Sequence, residues 1–156
     1  MREILFRGKR KDNGEWVYGA YYKQEHIYGY EKVVHCIITS KDVLSNDLGL
    51  DYEEVIPETV GQHTGLNDKN GTKVFEGDIL RGFSYPFQND EGEFNYYAEV
   101  VWFDDCCSFG LVTHKNPKSL VNGISDGNTD LIEDFESEDW EIIGNKWDNS
   151  ELLKGE

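Results

Sequence analysis

The stretch from Val60 to Leu80, VGQHTGLNDKNGTKVFEGDIL, does most to limit what this chain can fold into. Asp68, Lys69, Asn70 and Gly71 read as a turn, because Asn and Gly tolerate the positive φ that tight turns need. Thr72 to Phe75 reads as a strand. Glu76, Gly77 and Asp78 then interrupt the ladder, and Ile79 with Leu80 resume it, as a glycine-containing bulge does when it re-aims a strand at the corner of a small barrel. Gly65, Gly71 and Gly77 accordingly serve backbone geometry.

The flanking segments repeat this extended character. Glu3 to Gly8 reads as a first strand, Lys9 to Glu15 as a polar turn around Asp12, Asn13 and Gly14, and Trp16 to Lys23 as a second strand closing a hairpin with aromatics on both faces. Glu25 to Tyr30 and Lys32 to Thr39 form another apolar pattern. Ser40 to Pro57 is a polar, acidic connection with room for a helical turn before a strand from Glu53 to Ile56, which Pro57 ends. Gly82 to Asn95 reads as a long exposed loop, a natural rim for a binding surface. Tyr97 to Phe103 alternates cleanly and turns at Asp104 to Ser108 into Phe109 to His114. Beyond an irregular segment from Asn116 to Thr129, Leu131 to Glu138 suits an acidic helical turn. Trp140 to Ile143 suits a last strand, Gly144 a turn residue, and Asn149 to Leu153 a short helical tail.

The expected fold class is therefore mainly β: a small barrel-like or sandwich domain built from hairpins, with short helical turns and a protruding loop. Its 156 residues suit one domain, with residues 1–57 as a possible N-terminal hairpin subregion and 58–156 as the core. An aromatic share of 13% fits half-buried strands.

Charge narrows the function. Fifteen bases against 31 acids give −16, so a bare duplex or an anionic membrane surface repels the chain at long range, and direct nucleic-acid binding is not expected. The acids are uneven: eleven lie from Asp126 to Glu156 against two lysines, while Met1 to His35 holds seven bases against five acids. No apolar run is long enough to span a bilayer and no hydrophobic signal core opens the chain, so the expected location is cytoplasmic. Cys36, Cys106 and Cys107 are odd in number, two of them adjacent, and read as free thiols.

The segments REILFRGK, GQHTGLNDKNGTKVFEGDIL, AEVVWFDD and WEIIGNKWDNSELL, in that order, together resemble the YopX family. Its members are small proteins of bacteriophages and prophages with no assigned molecular function, so the resemblance implies a phage accessory protein in a bacterial host cell. Two departures stand out: His63 occupies a position where the family commonly has an aromatic, and the tandem Cys106 and Cys107 follow the Asp104–Asp105 pair.

Candidate chemistry is thin. Walker A, GxGxxG, HExxH and paired CxxC patterns are missing, and His26, His35, His63 and His114 are far apart in sequence. No catalytic residue and no cofactor are nominated. His35 and Cys36 face opposite sides of a strand and do not suggest a metal site. The acidic loops starting at Asp68 and Asp126 fail the calcium-loop pattern, having Lys73 and Leu131 where its sixth position needs Gly. Trp16, Tyr18, Tyr21 and Tyr22 would make a stacking platform in a basic protein, but in this acidic chain they read as core and subunit contact.

The expected function is binding of a protein partner, possibly of the host, with homo-oligomeric assembly. Gln62, His63 and Asp78 are the partner-binding candidates. Asp78 has a structural alternative, its carboxylate accepting backbone N–H groups beside Gly77. Two further readings are an acidic nucleic-acid mimic that blocks a host DNA-binding protein, and a small-molecule or enzymatic pocket around His63 and Asp78.

Overall fold

A computed structural model of the chain describes residues 3–25, 33–39, 51–82, 97–105, 107–115, 129–131, 138 and 140–153. Several expectations fall wholly or mostly outside these residues: the strand from Glu25 to Tyr30, the helical turn within 40–50, the loop from Gly82 to Asn95, the irregular segment from Asn116, the acidic turn from Leu131 to Glu138, and Cys106. The described strands are β1 (Phe6–Lys9), β2 (Trp16–Gln24), β3 (Val34–Ile38), β4 (Tyr52–Glu54), β5 (Gly61–Asn67), β6 (Lys73–Phe75), β7 (Asp78–Gly82), β8 (Tyr97–Phe103), β9 (Ser108–Lys115), β10 (Thr129–Leu131) and β11 (Trp140–Asn145). Pro57–Thr59 and Ser150–Leu153 form single 3₁₀ turns. The fold is mostly β, with two antiparallel sheets and compact units Met1–His63 and Thr64–Glu156. No described helix is long and apolar enough to cross a membrane.

In the first unit the strand order is β4-β3-β2-β1, and the start of β5 lies on the free side of β1 through Phe6↔Gln62 and Arg7↔Gly61. The β1–β2 pair is the expected hairpin, its turn held by Arg10 N–H to Glu15 O and Gly14 N–H to Arg10 O, both 2.9 Å. Farther along, residues 9–11 meet residues 54–56: Arg10 bridges Val55, Ile56 N–H donates to Lys9 O at 2.8 Å, and Lys11 N–H donates to Glu54 O at 2.9 Å. The 3₁₀ turn then carries the backbone away from β1 and would strand the Lys9 N–H. Buried Thr59 fills the gap, its hydroxyl accepting Lys9 N–H at 2.8 Å and donating to Ile56 O at 2.7 Å. This meeting is one bridge and not a ladder, so among the described residues neither sheet closes into a barrel.

The register sorts the first unit's side chains by period two. Phe6, Tyr21, His35, Ile37 and Val55 share one face, where Ile37 is 0% and Val55 1% exposed. Tyr21 packs against Phe6 with ring centroids 5.6 Å apart, and its hydroxyl lies 2.6 Å from His35 Nδ1.

In the second unit, β5 continues past His63 beside β6, tied by the buried Thr64 hydroxyl donating to Val74 O at 3.0 Å. The other sheet runs β10-β9-β8-β7-β11. Leu80, Ala98, Val100, Leu111 and Trp140 from this sheet and Val74 from β6 form a common core, with Ile142 packed against it. Strand β7, between β8 and β11, is covered on both faces, since Ile79 and Leu80 are each 0% exposed. That is why its apolar residues run consecutively instead of alternating. On β8, Glu99 is buried, and its carboxylate lies 3.1 Å from Lys146 Nζ.

The bulge expected at Glu76–Asp78 is instead a two-residue turn at which the chain leaves one sheet for the other. β6 and β7 are separate strands, β6 beside β5 and β7 between β8 and β11. Gly77 takes φ +81°, and Trp147 lies where a side chain would project, 2.3 Å from an ideal Cβ. Gly77 also accepts Lys146 N–H and donates to Val100 O, at 2.9 and 2.8 Å. An actual bulge sits elsewhere, in the β7–β11 ladder between Ile142 and Gly144. Gly144 is thus a strand residue and not the turn expected of it.

Candidate functional site

The turn from Asp68 to Gly71 forms as expected, but the positive φ falls on Gly71 alone, at +78°. Asn70 contributes differently. Its N–H and that of Thr72 donate to Asp68 Oδ1, each at 2.9 Å, while Ile142 N–H of β11 donates to Asp68 Oδ2 at 3.1 Å. Lys69 N–H adds a bond to Trp140 O at 2.9 Å. The turn therefore satisfies outward backbone groups of β11, an edge strand that would otherwise offer them to another chain. Burial pushes the Asp68 carboxyl up, but the amide donors of Ile142, Thr72 and Asn70 outweigh it, and its pKa lies below the usual carboxylate value.

Asp78 is 1% exposed, and its Oδ2 accepts Phe75 N–H at 2.7 Å. It clamps the sheet-changing turn, as its structural alternative required. Gln62 and His63 are consecutive on β5 and so point to opposite faces; Gln62 is half-buried and His63 is 4% exposed. These two lie in the first unit and Asp78 in the second. The polar groups of the second unit's surface also engage one another. Arg81 meets its cross-strand partner Glu141 at 2.8 Å and Lys69 approaches the same carboxylate at 3.6 Å, so the Arg81 hydrogen bond holds the Glu141 pKa below its ordinary value.

Among the described residues, the second face of the first unit's sheet collects several exposed tyrosines. By register it carries Trp16, Tyr18, Ala20 and Tyr22 of β2, Arg7 and Lys9 of β1, Cys36 and Ile38 of β3, and Tyr52 and Glu54 of β4. Two rungs cross three strands, Ala20–Ile38–Tyr52 and Tyr22–Cys36–Glu54. Tyr18 is 49%, Tyr22 50% and Tyr52 64% exposed, against full burial of Ile37 on the opposite face. Cys36, on the rung between Tyr22 and Glu54, is buried, and burial followed by Glu54 raises its thiol pKa, keeping it in the protonated form. At one end Arg7 stacks over the Trp16 ring at 4.7 Å and Lys9 at 5.4 Å.

The four β2 aromatics expected to be core and contact thus divide. Tyr21 joins the core face, Trp16 is half-buried beneath two cations, and Tyr18 and Tyr22 face outward. The strand expected from Glu53 begins one residue earlier, at Tyr52, which brings that ring onto this face. Its β-favouring ring next to Glu53 and Glu54 was the available signal. His35 and Cys36 face opposite sides, with the His35 ring engaged by Tyr21.

The chain matches the family described as YopX protein over residues 5–154. It is similar in structure to protein EF1440 from Enterococcus faecalis, seen in a crystal structure, with a TM-score of 0.52 and 20% sequence identity over 99% of this chain and 100% of that one. That likeness concerns the fold. No curated protein matches the sequence.

Proposed function

Taking as premise that the chain belongs to the YopX family, we propose that it is a protein-binding module whose contact surface is the tyrosine face of β2, β3 and β4. One observation carries the reading: Tyr18, Tyr22 and Tyr52 stand about half exposed or more on one face of an antiparallel sheet whose other face is core. Tyrosine suits protein contact because a rigid, amphipathic ring supplies large area at small entropic cost. The proposal shifts the contact from the central corner to this face, since buried His63 and Asp78 have little surface to offer a partner. In the accessory role implied by the family, the module acts by occupying another protein and requires no chemistry of its own.

The test compares the wild-type chain with Tyr18→Ser/Tyr22→Ser/Tyr52→Ser. Tagged wild type is expected to retain a protein from bacterial lysate, or to associate with itself in light scattering, and the triple variant is expected to lose that association with its circular dichroism unchanged. Identical capture and identical mass for both chains would reject the reading.

A further inference from the structure

We draw no further inference here: the strongest candidate, the open sheet face of β2, β3 and β4 with its exposed Tyr18, Tyr22 and Tyr52, belongs to the reading already proposed, and nothing in the structure shows what covers it.

Discussion

The two units use their polar and aromatic side chains in opposite directions. In Met1–His63 the sheet turns Tyr18, Tyr22 and Tyr52 toward solvent, and a buried hydroxyl, that of Thr59, serves the backbone. In Thr64–Glu156, far richer in acids, two carboxylates are turned inward and spend their acceptor capacity on main-chain amides, Asp68 on three and Asp78 on Phe75. An acidic composition therefore does not imply an acidic recognition site. Some of these acids are joints, and the proposed contact face lies in the unit with the smaller net charge.

The comparison breaks most directly at the sheet-changing turn. Gly77→Ala places a methyl group against the Trp147 ring at a positive φ, and is expected to cost about 3 kcal/mol or more in urea unfolding. Asp68→Ala leaves the amides of Asn70, Thr72 and Ile142 without their acceptor, and about 2–3 kcal/mol should be lost. Acid sharpens the same point. The folded pKa of Asp68 is depressed from 3.8, so its contribution is fully present above that unfolded value and is lost as pH falls through the folded one. Wild type should lose stability more steeply than Asp68→Asn below about pH 4 when unfolding is followed by tryptophan fluorescence.

The first unit's joint is smaller. Thr59→Val removes the acceptor of the Lys9 N–H and is expected to cost about 1–2 kcal/mol by thermal or urea unfolding. The smallest effect belongs to the face itself: Tyr22→Ser and Tyr52→Ser should each change stability by no more than about 0.5 kcal/mol, because both side chains are exposed. Large losses there would show the tyrosines to be packing residues and would remove the contrast between the units.

Much of this contrast was legible along the chain, because its causes act over a few residues. The hairpin of β1 and β2, the turn at Asp68 to Gly71, the special backbone at Gly77 and the service of Asp78 to a nearby amide all depend on neighbours within about one turn's span. Alternation in β2 likewise divided its aromatics into two sets without saying which set would be covered. Burial is decided by what packs on the sheet, and the register with β3 and β4 made Tyr21 core and left Tyr22 and Tyr52 on the open face. The exchange of sheets at Gly77 read as a bulge for the same reason: a strand's partner lies far off in sequence. Asp68 shows the limit most clearly, since its bond to Ile142 spans 74 residues. Side-chain chemistry and local dihedral preference settled which residues could turn, cap or alternate. Tertiary pairing alone settled which amide each carboxylate reaches and which aromatic face meets water.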